Sequence, residues 1–295
     1  MKQSLIYYIT LLVIKMKGLK REFSKDPIDY KKIRKEDVHY PKGIFFKKNT
    51  IQTFNVLDSL ITEIGLKPKS DKLLIFIHGG VFISEPAKHH WGSIKEIAKK
   101  TDYKIWMCDY PKSPENKVIK ISENIDNIYK KALEKYKSNN ITFIGDSVGG
   151  TLITCLIQRL IKKNIELPIK ILLILPVMDA SMSNPEIENI DKIDPILSKI
   201  GVLSAKKMYA NNKDLKSEMI SPLFGSFDKF PSTILFLAEN DITYPDQKLA
   251  VQKLNIAKIN LELIEGNNMP HIWPFLPAMK EAKIGLNEII RILNN

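Results

Sequence analysis

Short runs of consecutive apolar residues alternate along the chain with longer stretches in which apolar positions recur every three or four residues. Runs of four to eight residues that are rich in Ile, Leu, Val and Phe are typical of strands buried on both faces. They lie at residues 73–77, 104–108, 141–144, 169–175, 232–238 and 260–264. Stretches with helical periodicity lie at residues 115–136, 151–163, 245–256 and 274–293. This alternation predicts an α/β fold with a mainly parallel central sheet and helices on both faces.

Two regions depart from this alternation. Residues 43–46 and 50–57 alternate weakly between apolar and polar, which predicts antiparallel edge strands ahead of the first buried run. Residues 179–215 are polar, contain Pro185 and Pro195, and predict one or two short helices. We expect this second region to be an insertion over the carboxyl edge of the sheet.

The N-terminal segment, residues 5–14, is apolar on all sides. It is shorter than the roughly 20 residues that cross a bilayer. The residues after it contain no small-residue cleavage site of the kind that ends a signal peptide. We favour a helix that packs over a pocket as a lid, and membrane contact through residues 1–20 is the alternative.

Composition narrows the class of protein. With 295 residues, 44% of them hydrophobic and 26% charged, the chain suits one globular α/β domain with a large core. The net charge of +12 comes from lysines spread along the chain without a recognised nucleic-acid-binding motif, so we expect no nucleic-acid partner. Cys108 and Cys155 lie in apolar stretches, which favours a reducing, cytoplasmic location, with membrane association as the alternative. The oligomeric state stays open, a homodimer included.

Candidate chemistry begins at residues 145–150, Gly-Asp-Ser-Val-Gly-Gly. They connect a predicted buried strand to a predicted helix, which is the context that the Gly-x-Ser-x-Gly motif of a nucleophilic serine requires. Gly145 and Gly149 leave space where a Cβ would crowd the sharp turn. Ser147 is therefore the candidate nucleophile, and an ordinary strand-to-helix glycine turn is the alternative.

A second glycine turn follows the first buried strand, at His78-Gly79-Gly80-Val81-Phe82. Its backbone N–H groups can approach a tetrahedral oxyanion closely, because the glycines carry no side chain. We expect an oxyanion hole from the N–H of Val148, the residue after the serine, and from N–H groups of Gly79, Gly80 or Val81. His78 precedes the nucleophile in the chain and is expected to be structural.

Asp241 and His271 complete a candidate triad. Each follows a predicted strand, and the chain order Ser147, Asp241, His271 is that of nucleophile, acid and base in α/β-hydrolases. No other histidine lies C-terminal to the serine. Asp179 and Asp246 compete for the acid role, but Asp241 occupies the loop at a strand end, where such folds place their sites.

The adjacent residues His89 and His90 invite a metal interpretation. Neighbouring side chains on a helix point in different directions, and no set of further ligands follows at metal-binding spacing. We expect both to be loop or surface residues and predict no metal and no cofactor.

Taken together, these motifs resemble those of the hormone-sensitive-lipase-like esterases, a branch of the α/β-hydrolases. The matching pieces run in the same order from about residue 73 to the C-terminus: residues 78–82, Asp109 to Glu115, 145–150, 221–223, 241–242 and 269–271. The resemblance implies a serine hydrolase that cleaves small-molecule carboxylic esters, commonly short-acyl ones, through an acyl-enzyme and without a cofactor. It places Asp109 and Asp146 as structural supports of the site.

The resemblance also implies a helical cap, made of residues 1–45 and the inserted residues 179–218. The α/β-hydrolase core then comprises residues 46–178 and 219–295. Two positions depart from the family pattern: Val81 replaces the third glycine of the oxyanion turn, and no glycine precedes Asp241. A catalytically silent ligand-binding protein of the same fold, or an amidase or acyltransferase with the same triad, is the alternative function.

Overall fold

An eight-stranded sheet runs through the protein. The structure is a computed structural model that describes residues 3–48, 51–67 and 69–295. The strands are β1 (Ile51–Val56), β2 (Ser59–Ile64), β3 (Leu73–Ile77), β4 (Lys104–Asp109), β5 (Ile141–Asp146), β6 (Lys170–Ile174), β7 (Ser232–Asn240) and β8 (Leu261–Pro270). Their order across the sheet is β1-β2-β4-β3-β5-β6-β7-β8. The pairs β1–β2 and β2–β4 are antiparallel and all others are parallel, so the predicted mainly parallel sheet is confirmed.

Helices cover both faces of the sheet. They are α1 (Leu5–Lys17), α2 (Leu19–Glu22), α3 (Tyr30–Ile33), α4 (Ile44–Lys48), α5 (Lys88–Lys100), α6 (Val118–Leu133), α7 (Val148–Lys162), α8 (Ile187–Asp191), α9 (Lys199–Ala210), α10 (Tyr244–Ile256) and α11 (Lys280–Asn294). Because side chains alternate along a strand, Leu73, Ile75 and Ile77 of β3 pack in one core with α6 and α7. Leu74 and Phe76 pack in the other core with α5 and α11.

One predicted edge strand is wrong. Residues 44–46 lie in the helix α4 rather than in a strand. Three large apolar residues in a row do not alternate, and the helix turns Phe46 inward against the ring of Trp91, 5.9 Å away, while Ile44 stays exposed. Residue 50 of the second predicted strand lies outside the described residues, residues 51–56 form β1, and Leu57 lies in the turn that follows.

The strand β2 was not predicted. It follows β1 after a two-residue turn, in which Val56 pairs with Ser59 and Leu57 adopts a φ of 49°. Such hairpin turns are usually signalled by Asn-Gly or Asp-Gly. Leu57-Asp58 carries no such signal, so the hairpin could not be recognised from the sequence.

The N-terminal segment packs against the insertion between β6 and β7. The N–H of Gly201 in α9 donates to the carbonyl of Phe23 over 3.0 Å, and the N–H of Ile28 donates to Ser204 Oγ over 3.0 Å. A Cβ on Gly201 would lie 2.0 Å from the Phe23 carbonyl oxygen, so this contact requires glycine. The two segments thus form one layer of structure although they are distant in sequence.

The helix α1 is anchored along its inner face. Tyr7 and Ile14 are buried, and the Tyr7 hydroxyl donates to the carbonyl of Asn268 over 2.6 Å. Ser4 caps the helix and donates through its N–H to Glu281 over 2.7 Å. Within the part of the chain that the structure describes, no helix is both long and apolar enough to cross a membrane.

The helix α9 buries an amine. Lys206 is fully buried, and its Nζ lies 4.2 Å from the centre of the Phe82 ring. Among the described residues this amine has no hydrogen-bond partner. Burial lowers the pKa of Lys206 to about 7. The folded protein therefore disfavours the charged form of this side chain.

We expect Lys206→Met to raise the free energy of unfolding near pH 7 by about 1–4 kcal/mol, as when buried ionic groups are replaced by packed apolar ones. The unfolded chain holds this amine at its ordinary pKa of 10.5 and binds more protons than the folded chain between about pH 7 and 10.5. Wild-type stability should therefore rise with pH across that window, and the variant should lose this rise. Urea unfolding at both ends of the window measures both effects. A variant less stable at both ends would contradict the prediction.

Candidate active site

Ser147 stands at a sharp turn between β5 and α7. Its φ of 51° and ψ of −122° lie outside the regions that side-chain-bearing residues prefer, as expected where packing holds a strained functional residue. Its N–H donates to the carbonyl of Ile174 over 2.9 Å. A Cβ on Gly149 would lie 2.0 Å from the carbonyl oxygen of Ile77, so only glycine permits α7 to start this close to β3. The serine is 4% exposed, at the carboxyl edge of the sheet.

His271 and Asp241 meet at the ends of the neighbouring strands β8 and β7. His271 Nδ1 lies 2.7 Å from Asp241 Oδ2, and Asp241 Oδ1 accepts from the N–H of Thr243 over 2.9 Å. Both side chains are buried. Because Nδ1 donates to the carboxylate, Nε2 is left to accept a proton.

The serine and the imidazole are not hydrogen-bonded to each other within the described residues. Hydrogen bonds between a nucleophile and its base are often long and tighten only in the complex with substrate. The parallel strands β5, β6, β7 and β8 bring Ser147, Asp241 and His271 to the same edge of the sheet. The competing carboxylates bind elsewhere: Asp179 accepts from Ser181, and Asp246 accepts from Asn184.

The electrostatic environment favours a protonated His271. Burial by itself lowers the pKa of this imidazole, and the charge and hydrogen bond of Asp241 act against burial. Asp194 and Asp146 act in the same direction, so the net pKa is raised from 6.5. The ring is thus suited to take a proton and to hold it as a cation.

The glycine turn after β3 lies beside the serine, since a Cβ on Gly79 would be 3.1 Å from Ser147 Cβ. The N–H of Gly79 donates to Asp146 Oδ1 over 3.1 Å, so this group is engaged, and Gly80 and Val81 are left as the candidate oxyanion donors of this turn. The N–H groups of Gly80, Val81 and Val148 donate no hydrogen bond within the described residues and remain available. Val81 adopts a φ of 48°, which a β-branched residue rarely does.

His78 braces this turn. Its Nδ1 lies 2.7 Å from the carbonyl of Gly79, and its ring stacks on Tyr110 with centroids 4.7 Å apart. The Tyr110 hydroxyl donates to the carbonyl of His78 over 2.9 Å. Burial holds the pKa of His78 well below 6.5, so the imidazole is neutral. These contacts suit a structural role.

Asp109 belongs to a charged group beneath the same turn. The ammonium of Lys112 lies 2.9 Å from Asp109 Oδ1 and 2.8 Å from Glu85 Oε2. His39, Glu85 and Asp109 hold potential metal-ligand atoms within 4.8 Å of one another. Because the Lys112 ammonium already binds both carboxylates, it occupies the position that a metal cation would take in this cluster.

The expectation that His89 and His90 are loop or surface residues is wrong, because both lie in the first turn of α5. His89 is half-buried, and its buried Nε2 has no hydrogen-bond partner among the described residues. His90 is buried. Its Nδ1 accepts from the N–H of Ala87 over 2.8 Å, and its Nε2 lies 3.2 Å from Asp146 Oδ1. His89, His90 and Asp146 offer ligand atoms within 4.8 Å. Because Nδ1 of His90 accepts a hydrogen bond, the ring proton lies on Nε2 and faces Asp146. A metal at Nε2 would have to displace this proton, so these residues do not fit a metal.

Comparison with known proteins identifies the family of the chain. A family model described as the alpha/beta hydrolase fold matches residues 74–275, more than half of the chain. The chain belongs to the α/β-hydrolase fold family. This α/β-hydrolase is 26% identical over 238 residues to a protein named Esterase from Acinetobacter venetianus, covering 79% of this chain and 78% of that one.

Two further matches concern the hormone-sensitive lipases. A protein named Hormone-sensitive lipase from Mus musculus is 28% identical over 142 residues, which cover 46% of this α/β-hydrolase and 19% of that protein. A solved structure described as an esterase from the bacterial hormone-sensitive lipase family superimposes with a TM-score of 0.86 at 19% identity and covers 100% of this chain and 99% of that one. The resemblance to hormone-sensitive-lipase-like esterases is confirmed.

Sequence reasoning missed Asp194, which the insertion brings to the acid loop of this α/β-hydrolase. Asp194 Oδ2 accepts from the N–H of Ile242, the residue after Asp241, over 3.0 Å. Its Oδ1 accepts from the N–H groups of Ile196 and Leu197, each over 2.8 Å. Burial and the charge of Asp241 raise the pKa of Asp194 to about 7. No local pattern marks this residue, because its role depends on a contact 48 residues away.

We expect Asp194→Asn to lower kcat/KM roughly tenfold, because an amide N–H would face the N–H of Ile242 and loosen the loop that holds the acid. Removal of the charge also lowers the pKa of His271, so the acid limb of the kcat/KM profile should move to lower pH. The pH profile of ester hydrolysis measures both effects.

Asp191→Asn is the matched control, since its side chain binds Lys20 away from the acid loop. A lowered rate in Asp194→Asn without movement of the acid limb would limit Asp194 to a purely structural contact.

The insertion also touches the oxyanion turn. The ring of Tyr209 in α9 stacks on Phe82, with centroids 3.8 Å apart and planes 8° from parallel. Phe82 follows Val81 in the turn, and both rings are buried. One inserted segment therefore contacts both the acid loop and the oxyanion turn.

Proposed function

We propose that the protein is a serine hydrolase that cleaves carboxylic esters, with Ser147 as nucleophile, His271 as base and Asp241 as the acid that orients the base. The observation that carries the proposal is the buried Asp241–His271 pair on the same sheet edge as a serine in a strained turn. The names of the relatives, esterase and hormone-sensitive lipase, support the same reaction class.

The reaction follows from these roles. His271 Nε2 takes the proton of the Ser147 hydroxyl as Oγ attacks the ester carbonyl carbon. The oxyanion that forms accepts hydrogen bonds from the free N–H groups of Gly80, Val81 and Val148. Val148 lies at the N-terminus of α7, where the helix dipole also favours negative charge. Collapse expels the alcohol, which takes the proton from His271 and leaves an acyl-enzyme.

Water completes the cycle. His271 removes a proton from the attacking water, which adds to the acyl carbon, and the second tetrahedral intermediate collapses to release the acid. Ser147 recovers its proton from the imidazolium. Asp241 keeps Nδ1 protonated throughout and stabilises the cation, so the ring presents the same nitrogen in both half-reactions.

Short acyl chains are the proposed substrate class. We assign residues 1–45 and 179–218 to a cap over the core formed by residues 46–178 and 219–295. The contact between Gly201 and Phe23 supports this division, since it joins the two cap segments. The stack of Tyr209 on Phe82 places two buried rings next to the oxyanion turn, and their bulk there favours small acyl groups.

A series of p-nitrophenyl esters from acetate to decanoate, measured with the full chain, tests the proposal. We expect turnover that is highest for acetate and butyrate and that falls as the chain lengthens. A p-nitroanilide of the same acid distinguishes an amidase, and labelling of Ser147 by a fluorophosphonate distinguishes a hydrolase from a silent binding protein. No turnover of any ester across a range of pH would refute the function.

A further inference from the structure

The outward face of α1 is a continuous apolar surface. Seven large apolar side chains of this helix are between 43% and 78% exposed: Leu5, Ile6, Tyr8, Ile9, Leu12, Val13 and Met16. At 3.6 residues per turn they occupy an arc of about 160°, centred opposite the buried Tyr7 and Ile14. Exposed apolar residues are normal when they are scattered, but a contiguous patch marks an interaction site.

Basic residues border this outer face. The first 21 residues contain five basic side chains and no acidic one: Lys2, Lys15, Lys17, Lys20 and Arg21. Lys20 is paired with Asp191 over 2.8 Å, so the positive charge on the helix comes from Lys15 and Lys17. Lys15 and Lys17 are exposed and lie at the two opposite edges of the apolar arc. The Arg21 side chain, just beyond the helix, is 81% exposed and lies 4.0 Å from the carboxylate of Glu22. The face thus combines an apolar centre with a positive margin.

The helix is a fixed platform for this face. Its N-cap at Ser4, the bond from Tyr7 to Asn268 and the buried Ile14 hold the inner side to the protein. The apolar side chains are therefore displayed on a folded helix and need no rearrangement to be exposed.

We propose that this outer face seats the protein on the surface of a membrane that contains anionic lipids. The helix lies in the plane of the interface, with its apolar side chains among the upper acyl groups and Lys15 and Lys17 at the level of the headgroups. At 13 residues it is too short to cross the bilayer, so it lies along the surface. The binding does not depend on the proposed catalysis.

Charge complementarity favours lipid over a second copy of the chain as the occupant. A symmetric dimer through this face would bring Lys15 and Lys17 of both copies together, and α1 itself carries no acidic residue to pair with them. An anionic lipid surface instead supplies negative charge along the whole margin.

The test is sedimentation of the full chain with vesicles of phosphatidylcholine and phosphatidylglycerol in equal parts, and with vesicles of phosphatidylcholine alone. We expect strong binding to the anionic vesicles, much weaker binding to the neutral ones, and loss of binding as salt is added. Leu12→Glu combined with Met16→Glu should abolish binding. Lys15→Gln combined with Lys17→Gln keeps the apolar face and should weaken binding roughly tenfold or more.

The matched control is Ile256→Glu combined with Ile284→Glu, which adds the same charge at two exposed apolar positions outside α1. It should bind nearly as well as wild type. Hydrolysis of a soluble p-nitrophenyl ester is measured in parallel without vesicles, so failure of the membrane proposal is separable from failure of the esterase. A wild-type monomer that ignores anionic vesicles overturns the proposal. A wild-type dimer in light scattering that Leu12→Glu with Met16→Glu dissociates assigns the face to a second copy and also overturns it.

Discussion

Ser147→Ala should reduce kcat for ester hydrolysis by about 10⁴–10⁶, which leaves only the residual effect of the oxyanion hole and of substrate binding. The alanine keeps the Cβ and the strained backbone of the turn, so the fold and the free N–H groups beside it should persist. The measurement is the steady-state hydrolysis of p-nitrophenyl butyrate, together with covalent labelling by a fluorophosphonate.

Ser226→Ala serves as the matched control, because Ser226 is an exposed serine that bonds only within its own loop to Asp228. It should keep full activity and full labelling. If Ser147→Ala retained a substantial fraction of the wild-type rate, the nucleophile would lie elsewhere and the proposed mechanism would fail.

Asp241→Asn should lower kcat by about 10⁴, the loss found when the acid of a serine-hydrolase triad becomes an amide. The amide could present an N–H to His271 Nδ1, which would put the ring proton on Nε2 and leave no acceptor for the serine hydroxyl. The cation formed in the reaction would also lose the carboxylate 2.7 Å away. Measurement of kcat against pH should further show the acid limb moved to lower pH, since Asp241 raises the pKa of His271.

Asp246→Asn and Asp179→Asn test the competing carboxylates with the same change of group. Asp246 bonds to Asn184, and Asp179 bonds to Ser181, so neither variant removes the partner of His271. Each should lose less than tenfold in kcat. A larger loss in either one than in Asp241→Asn would transfer the acid role to that residue.

The buried strands and the candidate site residues could be predicted because their signals are local. Runs such as residues 73–77 are apolar at every position, which a strand covered on both faces requires. Ser147, Asp241 and His271 each follow such a run, and parallel strands bring their carboxyl ends to one edge. The helix at residues 44–48 and the strand β2 escaped prediction, because packing on Trp91 and a turn without glycine decided them.

Contacts between distant residues could not be predicted. The N–H of Gly79 has the position of an oxyanion donor in the sequence, but the carboxylate of Asp146, 67 residues later, already binds it. His90 is one of two adjacent histidines that look alike in the sequence, and only the fold buries it beside Asp146. Asp194 lies in a polar insertion with many acidic residues, and nothing local sets it apart from them.

The inserted segment contacts the acid loop through Asp194 and the oxyanion turn through Tyr209. If this segment moved away to admit an ester, the acid loop and the oxyanion turn would both lose these contacts. With the segment open, the enzyme would therefore be inactive. It would become active only when the segment closes over the bound substrate. Bulky esters that prevent the segment from closing would reach Ser147 but would be hydrolysed slowly. A movement of the inserted segment would then control both substrate entry and reactivity, and the fit of the closed segment around the substrate would add to the selectivity.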